Sequence, residues 1–251
     1  MDKLFRPRLK SGERLIGTMI SLPSLEVVEI MASAGFDWLF IDAEHAQFGD
    51  LLVQRMLQVA GPGTPCLVRL ADKDEVHIKK ALDAGAAGII APMVNSASQA
   101  AEVVQMAKYP PLGKRGVGLG RAQGYGMQFA EYVGQANQQI VVVAQIEHIK
   151  AVENISAIVQ VEGIDALMLG PYDLSSSMDL VGQVDHPDVV GAIDQVTNIC
   201  QAAGMPLGIF GVSAEAVQPY IAQGYTLIIV GADGMLLGQG AAHLLAQVRK
   251  Y

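Results

Sequence analysis

The stretch Ser33–His45, SAGFDWLFIDAEH, holds a helix stop, a strand and a polar edge in immediate succession. Gly35 is the residue type on which helices commonly end, because it adopts the left-handed conformation freely. Trp38–Ile41 is an uninterrupted apolar run, and Asp42, Glu44 and His45 follow it directly. A strand that only had to stop could do so on Gly or Asn, so three ionisable groups at one strand end point to chemistry. The same stop-then-strand layout returns in DAGAAGIIA (83–91) and AQGYTLIIV (222–230).

Working outward, short apolar runs recur along the whole chain. They are LIGTMIS (15–21), WLFIDAE (38–44), CLVRL (66–70), GIIAPMV (88–94), IVVVAQIE (140–147), ALMLGP (166–171), PLGIF (206–210) and TLIIVGA (226–232). They are near-continuously apolar rather than alternating, which is the pattern of parallel strands buried on both faces. Helical segments lie between them. SLEVVEIMASAG (24–35), DEVHIKKALDAG (74–85) and AEAVQPYIAQG (214–224) end on glycine, the last with Pro219 inside it; SASQAAEVVQMAKY (96–109) opens on Ser96 and runs into Pro110. These are ordinary helix start and stop signals. Eight strand-then-helix alternations predict an α/β fold, a (β/α)8 TIM barrel formed as a single domain over residues 1–251. One stretch breaks the rhythm. Residues 109–139 are Gly-rich, begin with two prolines and hold Lys114, Arg115 and Arg121. So long a connection is expected to be functional or to carry small helices, and it reads as an active-site connection.

Composition narrows the partners. The chain has 251 residues, 51% of them hydrophobic, and a formal net charge of −8. An acidic balance argues against nucleic acid and against an anionic membrane surface. No apolar run reaches spanning length, and the first residues lack the apolar region of a signal peptide. Cys66 and Cys200 sit in apolar runs and read as buried thiols. A cytoplasmic location is expected.

In a barrel, the active site gathers at the C-terminal ends of the strands. Those ends present Asp42, Glu44 and His45, then Arg69, then Gln145 and Glu147, then GPYDLS with Asp173, and finally GADG with Asp233. Two carboxylates in one mouth repel unless a cation sits between them, so Glu147 and Asp173 suggest a divalent metal; the alternative is that Asp173 caps a helix. Arg69 in a buried strand needs either an ion pair or a bound anion. His45, three residues after Asp42, is either an ordinary loop residue or half of an acid–imidazole dyad. His77, His148, His186 and His243 read as surface residues. GKRGVG and GADG are weak phosphate signals that match no nucleotide fingerprint. No lysine stands at a strand end as a Schiff-base nucleophile.

AGFDWLFIDAEH (34–45), YPPLGKRGVG (109–118), AQIE (144–147) and VEGIDALMLGPYDLS (161–175) together resemble the metal-dependent class II pyruvate aldolases of the HpcH/HpaI family. The resemblance runs from about Ser11 to Lys250. It implies a lyase that reversibly cleaves a 4-hydroxy-2-oxo acid to pyruvate and an aldehyde through an enolate, with Mg2+, Mn2+ or Co2+ as cofactor. It implies Glu147 and Asp173 as metal ligands, and Gln145, Gly170, Pro171, Tyr172 and Asp173 around the substrate. Arg69 would stabilise the enolate oxygen, His45 would move protons and Asp42 would polarise it. Asp83 matches an acid supplied by a neighbouring subunit, in a homohexamer built as a trimer of dimers with the last helix exchanged. Tyr172 replaces a smaller residue of the family pattern, which bears on the aldehyde pocket. A citryl- or malyl-CoA-type lyase and a non-catalytic ligand-binding barrel are the alternatives. The first would need a basic CoA surface, of which the only trace is the loop at 108–121. The joint presence of His45, Arg69, Glu147 and Asp173 speaks against the second.

Overall fold

The computed structural model describes residues 5–250. Eight parallel strands close into a barrel in chain order: β1 (Leu15–Ile20), β2 (Trp38–Asp42), β3 (Cys66–Arg69), β4 (Gly88–Ala91), β5 (Val141–Ile146), β6 (Ala166–Leu169), β7 (Leu207–Gly211) and β8 (Leu227–Ala232). Each lies within, or within a residue of, one of the apolar runs. The helices are α1 (Phe5–Lys10), α2 (Leu25–Ser33), α3 (Asp50–Ala60), α4 (Glu75–Asp83), α5 (Ala97–Ala107), α6 (Phe129–Gln139), α7 (Ile149–Glu153), α8 (Ile155–Ile158), α9 (Pro171–Ser177), α10 (Pro187–Ala202), α11 (Ala214–Ala222) and α12 (Asp233–Val248).

The runs are apolar throughout because both strand faces are buried. Leu39, Ile41, Val68, Ile89, Val142 and Ala144 pack towards the helices. The alternate residues Trp38, Phe40, Leu67, Ile90, Val141 and Val143 fill the barrel, where Phe5 and Leu9 of α1 join them. Gly17 makes room for the indole: a Cβ there would lie 2.7 Å from Trp38 Cε2. Helix starts follow the sequence signals. Ser24, Asp74, Ser96 and Ser213 accept the amides of Val27, His77, Gln99 and Ala216, caps worth roughly 1 kcal/mol each. Gly35, Gly85 and Gly224 end helices at φ of 92°, 95° and 90°. Cys66 and Cys200 are buried free thiols, both pushed up to about 12 by burial. No described helix is long and apolar enough to cross a membrane.

The connection at 109–139 lies elsewhere than expected. α5 carries the chain back from the C-terminal ends of the strands, so the segment after it crosses the opposite, closed end. Lys108 Nζ donates to the carbonyl of Ile140, just before β5, at 2.6 Å. Arg115 Nη2 pairs with Asp83, the last residue of α4, at 2.6 Å. Arg121 Nη1 donates to the carbonyl of Ala84 at 2.9 Å. The segment therefore does not form an active-site connection of its own barrel, and two of its three cations are held by internal partners. Its final third is α6. A cleft of about 780 Å3 lies on this side, lined by Arg8, Thr64, Arg121 and Tyr132 among others, and none of the strand-end acids borders it.

Candidate active site

The mouth at the C-terminal strand ends is built from two poles. At the first, register sets Asp42 of β2 beside Arg69 of β3. Asp42 Oδ1 accepts Arg69 Nε at 2.9 Å, and Oδ2 lies 2.8 Å from Nη2. Both side chains are buried, and a fork of this kind is the stronger class of charged hydrogen bond. Asp42 Oδ1 also accepts the amides of Glu44 and His45, each at 3.2 Å, which turns the chain over the lip. The Arg69 guanidinium stands 5.2 Å from the Phe40 ring centroid. Of the two readings of Arg69, the structure thus shows the ion pair. Asp42 and Glu44 engage Nε and Nη2, so Nη1 is the guanidinium nitrogen left without a protein partner among the described residues.

No dyad forms between Asp42 and the His45 imidazole, because Asp42 is already engaged by Arg69 and meets only the histidine's backbone. The acid beside the ring is Glu44, whose Oε2 lies 3.7 Å from His45 Nε2 and 3.2 Å from Arg69 Nε. That oxygen is buried without a hydrogen bond. Burial pushes the Glu44 carboxyl up, and the charge of Arg69 opposes it. The His45 side chain is 65% exposed. Sequence reasoning places Glu44 at the lip and gives it no role; its approach to Arg69 comes from the turn after β2, which the order of residues does not show.

At the second pole, Gln145 and the adjoining Glu147 share the inner face of β5. Glu147 Oε1 accepts the amide of Met93 at 2.6 Å, and Oε2 accepts Gln145 Nε2. Met93 has φ 52°, a conformation in which a non-glycine residue stores strain. Gly170 is required by space: its Cβ would lie 2.9 Å from Glu147 Cβ and 3.1 Å from Oε2. Pro171 opens α9, Asp173 occupies its first turn, and Tyr172 and Asp173 are exposed. Asp173 makes no capping bond. Gln145 Oε1 is buried without a partner.

Burial raises the Glu147 carboxyl to about 7; the Met93 amide opposes this, and the negative charges of Glu44 and Asp173 add to it. Among the described residues no three of the His, Cys, Asp and Glu type converge as a ligand set. The mouth instead holds a buried carboxylate whose charge is disfavoured by a second, exposed one nearby. That donor set fits a hard divalent cation, which takes one or two carboxylates and completes its shell with water and substrate oxygens. Each Glu147 oxygen keeps a lone pair for it.

Asp83 is not brought to this mouth. It lies at the closed end, bound by Arg115. His148 and His186 cap α7 and α10 through Nδ1, and His77 sits beside Asp74.

The HpcH/HpaI aldolase/citrate lyase family model matches residues 16–239. The chain is 38% identical to the 4-hydroxy-2-oxo-heptane-1,7-dioate aldolase of Escherichia coli, over 98% of this chain and 95% of that one. It is 37% identical to the hydroxypyruvate/pyruvate aldolase of Pseudomonas aeruginosa, over 98% and 92%. Among solved structures, an HpcH/HpaI aldolase/citrate lyase family protein from Burkholderia cenocepacia J2315 matches with a TM-score of 0.94 at 34% identity, covering 97% of this chain and 98% of that one.

Proposed function

The chain belongs to the HpcH/HpaI aldolase/citrate lyase family, and we propose that it reversibly cleaves a 4-hydroxy-2-oxo acid to pyruvate and an aldehyde, as a metal-dependent aldolase. The observation that carries this reading is the second pole: a buried Glu147 raised to about 7, facing a mouth that also holds Asp173 and the Arg69 pair. Glu147 and Asp173 would hold Mg2+, Mn2+ or Co2+, which when bound draws electron density from the substrate's carboxylate and keto oxygens. Gln145, with Gly170, Pro171, Tyr172 and Asp173, would frame the pyruvate end.

Cleavage removes the proton of the 4-hydroxyl, breaks the bond between C3 and C4, and leaves the electron pair on an enolate whose charge rests on the C2 oxygen. Protonation at C3 then gives pyruvate. Arg69 would offer Nη1 to that oxygen, a donor of greatest value where charge develops. Asp42 fixes the guanidinium plane and so acts on the enolate through Arg69 rather than by polarising His45. His45, at the open lip, would take the hydroxyl proton, with Glu44 steadying the ring. Asp83 can reach a mouth only from another copy of the chain. As the family resemblance implies, the proposal includes a homohexamer, a trimer of dimers in which α12 is exchanged and Asp83 would serve a neighbouring mouth.

The test is pyruvate release from a panel of 4-hydroxy-2-oxo acids by purified protein, before EDTA, after it, and after Mg2+ or Mn2+ is restored. Release that EDTA abolishes and metal restores is expected. No release from any member, or release indifferent to EDTA, would sink the proposal.

A further inference from the structure

The strand-end acid Asp233 takes no part in the chemistry above, yet it is among the most completely bonded groups in the molecule. Its setting is the seam between β8 and β1. There Gly17 pairs with Ile229 and Met19 with Ala232, so β8 carries one residue more than β1 across the same span. Gly231 sits at this bulge with φ 68°, and buried Thr18 donates Oγ1 to its carbonyl at 3.2 Å. Past the bulge the ladder makes one more pairing, Met19 with Ala232, and ends where α12 begins at Asp233. The Asp233 carboxylate takes its place. Oδ1 accepts Ser21 N at 3.0 Å, Ser21 Oγ at 2.7 Å and Gly234 N at 2.8 Å. Oδ2 accepts Leu22 N at 2.9 Å and shares Ser21 N at 3.1 Å. Asp233 is 1% exposed. The carboxylate is thus held by donors from the turn after β1 and from the start of α12. Its effect is to pin the turn after β1 and set Leu22 over α12; a Cβ at Gly234 would lie 3.7 Å from Leu22 Cδ2.

In a closed ring of eight strands, β1 stands opposite β5. Glu147 leaves from β5, Asp173 from β6 and Arg69 from β3, so the pyruvate end occupies that side of the mouth. The remainder of a 4-hydroxy-2-oxo acid must extend towards the lip of β8 and β1. Resting on the aldolase reading, we infer that Asp233 is a positioning residue for the aldehyde half of the substrate, acting through the Ser21–Leu22 turn that it holds in place. Bulges beside active sites commonly re-aim a lip in this way.

The test separates the two halves of the reaction. Exchange of pyruvate methyl protons in D2O needs the enolate and no aldehyde, whereas condensation needs both. In Asp233→Asn one acceptor becomes an amide donor facing the Ser21 and Leu22 amides. Its exchange rate should stay within about threefold of wild type, while KM for the aldehyde rises about tenfold or more and the preference between a two-carbon and a longer aldehyde flattens. Leu22→Ala, which leaves the clamp intact, should show the same split and decides the matter if Asp233→Asn does not fold. Equal losses of exchange and condensation in the folded variant, or an unchanged aldehyde KM, would overturn the positioning role. A wild-type protein with no EDTA-sensitive exchange overturns the aldolase reading, and this inference with it.

Discussion

Glu147 shows how much of the site rests on one side chain. Its carboxyl stands at about 7, against an ordinary value of 4.5, chiefly because it is buried. A raised carboxyl holds a proton that the unfolded chain has already lost, so between those two values this group makes the metal-free protein less stable as pH rises. A cation must displace the same proton. Divalent affinity should therefore climb with pH up to about 7 and level above it, with close to one proton released on binding at pH 6 and almost none at pH 8. Calorimetry in buffers of different ionisation enthalpy reads the proton directly; affinity that ignores pH would contradict the ligand assignment. Arg69 yields a second expectation. Removing it would strand buried Asp42 and half-buried Glu44, at a cost of several kcal/mol, so Arg69→Lys is the informative variant. It keeps the charge and loses the planar fork, and kcat for cleavage should fall by about 10²-fold or more. An unchanged kcat would remove Arg69 from the enolate. Asp42, Arg69, Gln145, Glu147 and Asp173 can be picked from sequence because each ends a strand or lies just past one. That Asp42 grips Arg69 and leaves the imidazole to Glu44 cannot, since it depends on the register between β2 and β3.

Strands and helix ends are legible in the sequence for physical reasons. Burial on both faces forces unbroken apolar runs, and caps demand particular residues at Ser24, Asp74, Ser96 and Gly85. The place of segment 109–139 is not legible, because its length and glycine content say nothing about which end of the barrel it crosses; α5 fixes that by turning the chain round. Contacts between elements are likewise invisible. Gly170 reads in sequence as part of a substrate loop, yet its lack of a side chain is what admits Glu147. Gly170→Ala should leave the fold intact and weaken divalent binding by about tenfold, because its Cβ would meet Glu147 Cβ at 2.9 Å. Gly191→Ala in α10, with nothing within 4 Å of its added atom, serves as the control and should bind metal as wild type does. Equal affinity in both variants would show that Gly170 does not set the position of Glu147.

At the scale of the whole molecule, α12 leaves the barrel with its apolar residues uncovered. Leu237 is 67% exposed, Leu244 63% and Val248 62%, a row that calls for a partner surface. Asp83 lies at the closed end, where only another subunit's mouth could use it. Light scattering at micromolar concentration should give a hexamer, or at the least a dimer, and a monomer would dismiss both the exchanged helix and the shared Asp83. Leu237→Lys with Leu244→Lys should break the assembly and lower cleavage together. On the proposed function, the barrel mouth turns pyruvate into its enolate with the help of Glu147. Pyruvate methyl exchange in D2O, followed by NMR with added Mg2+ or Mn2+, tests it most directly. Wild type should exchange, EDTA should stop it, and Glu147→Gln should lose metal binding and exchange together; exchange at the wild-type rate in Glu147→Gln, or in the presence of EDTA, would contradict it.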